Sequence, residues 1–152
     1  MISNITLAFL HHAAAFLIVA MVTVELVLLK HELTLGSARS LLRMDAAYGI
    51  AAVVLVVVGF LRVFYTEKGS AYYFHSGPFI AKITLFAIVG LLSIRPTRQF
   101  LSWRKTLAAG QVPVLDDATR RRLRMALHIE LTLLFVIMLC AVMMARGILF
   151  LG

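Results

Sequence analysis

The chain has 152 residues, of which 62% are hydrophobic and 14% are charged, and its mean hydropathy is +0.97. Soluble globular proteins have about 45–50% apolar and about 25% charged residues, so this composition excludes a soluble globular protein and indicates an integral membrane protein. The net charge of +8 is typical of arginines and lysines that flank membrane helices, and we therefore expect no nucleic-acid partner.

The length allows four membrane spans and no further domain, because one span needs about 20 apolar residues. We predict a single transmembrane domain over residues 1–152, with helices at about 5–29, 41–65, 78–95 and 117–147. In chain order, the first two helices are joined by a short loop around Gly36, and the next connection is the polar segment from Thr66 to Pro78.

The later part of the chain contains signals for helix ends. Arg95 and Pro96 predict an end or a kink of the third helix. The stretch from residue 97 to 115 contains Trp103 and predicts an interfacial segment. Asp116 or Asp117 then predicts the N-terminal cap of the fourth helix.

Basic residues are concentrated at one side of the predicted bundle. Only Arg62, Lys68, Lys82 and Arg146 fall on the side of the two termini and the second loop. The first and third loops and the adjoining helix ends carry Lys30, Arg39, Arg43, Arg95, Arg98, Arg104, Lys105, Arg120, Arg121, Arg122 and Arg124.

The positive-inside rule therefore places these two loops in the cytoplasm and both termini outside it. We predict an all-α, antiparallel, up-down-up-down four-helix bundle in the bacterial cytoplasmic (inner) membrane. Its basic side would meet anionic headgroups, and the sequence leaves a homo-oligomer open.

The outer half of the bundle is predicted to hold basic and imidazole side chains without an acid at the same level. An ionisable group in a span needs a partner, a water path or a function. The cofactor-binding candidates are His11, His12, Arg62, Tyr65 and Lys82. Such a set would attract the carboxylates of haem b or a related tetrapyrrole, a lipid phosphate or a small anion. Alternatively, the cations extend to the headgroups and the histidines bond to backbone carbonyls.

His11 and His12 are the candidate metal ligands, and they diverge by about 100° on a helix. One of them would be an axial haem ligand, with Met143, Met144 or Lys82 opposite. The sequence does not distinguish which of the two this would be.

The inner half is predicted to hold a second polar group, formed by Glu25, Asp45, Tyr48, His128 and Glu130. Arg43 and Arg95 lie near the interface, so we expect internal ion pairs within a polar network that joins the helices. The alternative is a proton or ion relay through Glu25, Asp45, His128 and Glu130. His128 and Glu130 diverge by about 200° on one helix, so both cannot face the same partner.

Four runs follow one another along the chain: AFLHHAAAF, VELVLLKHEL, GFLRVFYTEKG and FIAKITLFAIVGLLSIRPT. In their order they resemble an uncharacterised bacterial family of predicted membrane proteins. A weaker resemblance is to the HemJ-type protoporphyrinogen oxidase, a small haem-containing membrane bundle. Its early histidine is similar to His11 or His12, and its lysine motif is similar to Ala81-Lys82-Ile83. This resemblance implies a haem ligated by His11 or His12 and held at its carboxylates by Arg62 and Lys82.

Three functional hypotheses follow. The sequence favours the first, a membrane protein that binds haem or a related tetrapyrrole in the outer half of the bundle and acts in redox chemistry. Whether it is an oxidoreductase stays open, and the other two hypotheses are alternatives. The second is a proton- or ion-conducting transporter or channel subunit, and the third is a non-catalytic accessory subunit whose polar residues hold the helices together.

Overall fold

The computed structural model describes residues 2–65 and 75–148, and the regular elements in these ranges are α-helices. They are α1 (Ile2–Leu28), α2 (Leu35–Tyr65), α3 (Gly77–Ser102), α4 (Arg104–Ala108) and α5 (Asp117–Ala145). Four segments are long and apolar enough to cross a membrane: α1, α2, α3 together with α4, and α5. The predicted all-α four-helix membrane fold is therefore confirmed. Its orientation in the membrane and the polar connection at residues 66–74, which lies outside the described ranges, stay predictions.

The four long helices form a closed ring of neighbours. α1 packs along α2, α3 packs along α5, and the two pairs meet through α1 with α5 and α2 with α3. Consecutive long helices are antiparallel, as three close approaches show. His11 near the beginning of α1 lies close to Gly59 near the end of α2, and Thr97 in the later part of α3 bonds to Asp45 in the first half of α2. Lys82 near the beginning of α3 lies within electrostatic range of Cys140 near the end of α5. Residues that are far apart in the chain are thereby brought to the same level of the bundle.

A narrow apolar core lies along the axis of the ring. In α1 the buried side chains Ile18, Val22 and Leu26 recur at helical spacing, and the buried Leu29 follows directly after the end of the helix. Large apolar residues remain exposed on the outer surface, such as Phe16 at 74% and Ile50 at 68%. An apolar outer surface of this kind is stable in contact with lipid chains rather than with water.

α2 begins at Leu35 rather than at the predicted position near residue 41. The backbone N–H of Ser37 donates to Oγ1 of Thr34, and the backbone N–H of Thr34 donates to Oγ of Ser37. These reciprocal bonds form a capping box that satisfies two backbone donors at the helix start. The prediction missed this start because serine replaces the usual glutamate or glutamine at the third helical position.

α3 continues through Pro96 to Ser102. Of the two alternatives predicted for Arg95 and Pro96, an end or a kink of the helix, the end is therefore wrong, and so is the predicted bound at residue 95. Proline is tolerated inside membrane helices because neighbouring groups compensate for its missing N–H. Pro96 is fully buried, and its ring fills core space. Only after Trp103 does the chain turn into the short α4.

Both ends of α5 have a local cause. Asp116 caps the first turn, since its Oδ1 accepts a hydrogen bond from the backbone N–H of Thr119 over 2.8 Å. Hydrogen bonding from the Thr119 hydroxyl, and to a smaller extent from its backbone N–H, holds the pKa of Asp116 below its usual value. At the other end Gly147 adopts a φ of +69°. The backbone N–H groups of Gly147 and Ile148 then bond back to the carbonyls of Met144 and Met143, which closes the helix.

Candidate functional site

Three carboxyl groups from three different helices lie at one level of the bundle. They are Glu25 of α1, Asp45 of α2 and Glu130 of α5, which we call the acidic layer. Their residues are 2%, 6% and 1% exposed, so all three are more than nine-tenths buried. Glu25 lies within electrostatic range of the other two, and Glu130 lies within range of Asp45. The antiparallel arrangement of the helices places Glu25 near the end of α1 at the same level as Asp45 in the first half of α2 and Glu130 in the first half of α5.

Hydroxyl groups connect the acidic layer to neighbouring helices. The Thr97 hydroxyl of α3 donates to Oδ1 of Asp45 over 2.7 Å. The buried Tyr48 hydroxyl lies beside both the Glu130 carboxyl and the Ser93 hydroxyl. Each of the four long helices therefore contributes at least one polar side chain at this level.

The acidic layer has no cationic partner among residues 2–65 and 75–148. The ion pair in these ranges joins Arg120 to Asp117 at the surface, over 3.8 Å. Arg43 and Arg95 are exposed, so the expectation that internal ion pairs would satisfy the inner-half charges is wrong. Arginine side chains this close to a helix end reach the interface more readily than the core. One oxygen each of Glu25 and Glu130 is buried without a hydrogen-bond partner.

A cavity of about 360 Å³ lies between α2 and α3, directly beside the acidic layer. Its polar wall is formed by Asp45, Tyr48, Ser93, Thr97 and Arg104. The rest of its lining is apolar and consists of Leu42, Ala46, Gly49, Ala52, Phe86, Gly90 and Leu101. The volume lies within the range of about 300–1,000 Å³ that is usual for small-molecule sites.

The basic residues predicted for the outer half also come together. His11 of α1, Arg62 of α2 and Lys82 of α3, which we call the basic layer, interact electrostatically with one another. The His11 ring contacts Gly59 and lies beside the backbone of Leu55, and its Nδ1 is buried without a hydrogen-bond partner. The Lys82 ammonium also lies over the Phe79 ring, 5.2 Å from its centroid.

The other predicted site residues lie on the outer surface of the bundle. His12 is exposed, and its Nδ1 is 2.6 Å from the carbonyl oxygen of Ala8. Tyr65 is 72% exposed. His128 is exposed while Glu130 is buried, in agreement with their predicted divergence on the helix. Within the described ranges, no group of three or more His, Cys, Asp or Glu side chains is placed to hold a metal ion.

Ser93, Thr97 and Gly90 belong to the site but were not predicted from the sequence. Ser93 and Thr97 are one helical turn apart and therefore share a face of α3. Two polar residues at this spacing inside an apolar span could have predicted a polar site on that face of α3. The open space at Gly90, where an added Cβ would meet nothing within 4 Å, could not be seen before the helices were packed.

Comparison with known proteins identifies the family of this chain. No curated protein and no solved structure matches the chain. The comparisons therefore give no support to the weaker resemblance to the HemJ-type oxidase. A family model described as "Predicted membrane protein (DUF2214)" matches residues 3–149, which is nearly the whole chain. The protein therefore belongs to the DUF2214 family of predicted membrane proteins.

Proposed function

We propose that this protein is a proton-relaying subunit of a membrane transporter or channel, in which Glu25, Asp45 and Glu130 carry the protons. The observation behind this proposal is the burial of three carboxyl groups without a cation among the described residues. An ionised side chain at the centre of a membrane helix costs about 2.5–3.5 kcal/mol on insertion scales. Carboxyl groups in such a place are therefore favoured as neutral acids, which can donate and accept protons.

Protons can pass between neighbouring carboxyl groups of the acidic layer. A proton that leaves one carboxyl group and binds a neighbouring carboxylate leaves the total charge of the layer unchanged. The hydroxyls of Tyr48 and Thr97 lie beside these groups and keep them oriented. The buried oxygens of Glu25 and Glu130 that lack hydrogen bonds are sites at which such protons can bind.

Proton flux into lipid vesicles tests the relay. Purified protein is reconstituted into vesicles that contain a pH-sensitive dye. Outward diffusion of potassium then makes the vesicle interior negative, which drives protons inward. We expect acidification in the presence of the protein, and its loss in Glu25→Gln and in Glu130→Gln. Glu32→Gln is the matched control, because Glu32 is exposed outside the helices. Vesicles that stay impermeable with the unchanged protein would contradict the proposal.

A second candidate function is the binding of haem b or a related tetrapyrrole for redox chemistry at the basic layer. It is supported by the assembly of His11, Arg62 and Lys82 from three helices, which interact electrostatically with one another. In this proposal His11 ligates the iron, Arg62 and Lys82 hold the carboxylates, and the haem supplies electron transfer when bound.

An absorption spectrum of protein purified from its own membrane tests this second candidate. A Soret band that is lost in His11→Ala and retained in His12→Ala would support it. His12 is a suitable control because it is adjacent in the chain and exposed. If the protein is colourless and the acidic substitutions only lower its thermal stability, the remaining hypothesis is a non-catalytic accessory subunit.

A further inference from the structure

We propose that the cavity between α2 and α3 binds a lipophilic organic cation, which exchanges with a proton on Asp45. This inference deepens the proposed function and rests on it, since both use the Asp45 carboxyl group. It names the class of molecule that the relay would serve, namely an ammonium or phosphonium ion with an apolar body.

The charge of the site favours a cation. Asp45 lines the cavity, and Glu25 and Glu130 lie within electrostatic range of it from α1 and α5. The charged group that lines the cavity from the other side is Arg104, at the junction of α3 and α4. Three ionisable carboxyl groups outnumber one guanidinium at this site. Once Asp45 has released its proton, a bound cation would give its carboxylate the cationic partner that the described residues do not place within 4 Å.

The walls of the cavity fit an apolar body that carries a charge. Two aromatic rings, Tyr48 and Phe86, face the space from α2 and α3. Aromatic faces attract organic cations, and this attraction becomes stronger where water is excluded. Gly49 and Gly90 leave open space on the two helices, because a Cβ added at either residue would meet nothing within 4 Å.

The surroundings of the cavity allow entry from the bilayer. Ala46 and Gly49 line both the cavity and a shallow groove on the outer face of α2. The groove continues over Ile50 and Val53, which are 68% and 64% exposed on the lipid-facing surface. A molecule dissolved in the membrane can therefore reach the cavity without first crossing an aqueous channel.

Exchange at Asp45 balances in charge and in protons. When the protonated carboxyl group releases its proton, the resulting carboxylate pairs with the incoming cation. When a proton returns, the neutral acid no longer holds the cation, and the cation leaves. Because protonation of Asp45 removes the charge that holds the cation, cation binding should weaken as the pH is lowered. The other titratable groups around Asp45 are Tyr48, Glu25, Glu130 and Arg104.

A pair of ions with one shape and opposite charge provides the test. Tetraphenylphosphonium and tetraphenylborate are measured by equilibrium dialysis against the protein in nanodiscs of zwitterionic lipid. We expect saturable binding of the phosphonium ion in excess of empty nanodiscs, proton release into weakly buffered solution, and no saturable binding of the borate. Benzyltrimethylammonium, a smaller cation, should compete with the phosphonium ion.

Two variants locate the binding site. Asp45→Asn removes the charge, and Gly90→Leu fills the open space, so each should lose phosphonium binding. Ala87→Leu adds the same side chain to an exposed position of α3 outside the cavity lining and should retain binding. The proposal is overturned if both ions bind alike, if Asp45→Asn and Gly90→Leu keep the binding of the unchanged protein, or if neither cation binds. Should neither cation bind while Glu25-dependent proton flux persists, this inference fails and the proposed function stands.

Discussion

The hydroxyl group of Thr97 donates a hydrogen bond to Oδ1 of Asp45 over 2.7 Å, which joins the later part of α3 to the first half of α2. α2 and α3 are separated nearby by the cavity, so this bond spans one of its edges. A hydrogen bond to a buried carboxyl group both orients the acid and holds two helices in register.

The Thr97–Asp45 bond should contribute measurably to stability. Thr97→Val keeps the shape of the side chain and removes the donor, so we expect a loss of about 0.6–1.5 kcal/mol in the free energy of unfolding. Thr132→Val is the matched control, because the Thr132 hydroxyl bonds within its own helix to the His128 carbonyl. Unfolding in detergent measures both variants, and equal losses would argue against an inter-helix role for Thr97.

Gly59 and Gly90 should respond differently to alanine. A Cβ at Gly59 would lie 3.2 Å from Cε1 of His11, whereas a Cβ at Gly90 would meet nothing within 4 Å. We therefore expect Gly59→Ala to be less stable than Gly90→Ala by about 1 kcal/mol, since crowding a packed contact costs roughly 1–3 kcal/mol.

A double-mutant cycle identifies the cause of this difference. His11→Ala removes the ring that Gly59 contacts, so it should cancel the penalty of Gly59→Ala and leave the effect of Gly90→Ala unchanged. Additive effects of His11→Ala and Gly59→Ala in thermal unfolding would contradict the close packing of α1 against α2.

The cap of α5 should depend on pH. The Thr119 hydroxyl and, to a smaller extent, the Thr119 backbone N–H lower the pKa of Asp116 in the folded protein by hydrogen bonding to it. The ionised cap therefore stabilises the fold above the pKa of the unfolded chain, about 3.9. This stabilisation should be lost as the pH falls through the lowered pKa. Asp116→Asn keeps an acceptor that does not titrate. The stability of the unchanged protein relative to this variant should therefore decline between about pH 5 and pH 2, and a constant difference would refute the assignment.

Hydropathy and helical spacing were sufficient to predict much of the fold and part of the site. They predicted four spans and separated His11, Arg62 and Lys82 from Glu25, Asp45 and Glu130 by level, because antiparallel helices fix the depth of every residue. They also predicted that His128 and Glu130 would diverge. Which of the adjacent residues His11 and His12 faces the interior of the bundle could not be predicted, because the answer depends on the rotation of α1 about its own axis.

Other features depend on packing that no single segment encodes. The continuation of α3 through Pro96 places that proline in the buried core. By contrast, the early start of α2 has a local cause, the pairing of Thr34 with Ser37, and was missed because serine stands where glutamate or glutamine is usual. The expected ion pairs of the inner half do not form because Arg43 and Arg95 lie on the surface. The cavity is formed by facing residues of α2 and α3, among them Gly49 and Gly90, and could not be predicted before these helices were packed.

Infrared spectroscopy tests most directly whether the buried carboxyl groups carry protons. The protein in nanodiscs at neutral pH should show the carbonyl stretch of protonated carboxylic acids, shifted in heavy water. Glu25→Gln and Glu130→Gln should each remove part of that band, and Glu32→Gln should leave it unchanged. A spectrum without protonated carboxyl groups at neutral pH would mean that Glu25, Asp45 and Glu130 are ionised, and would contradict the proton relay.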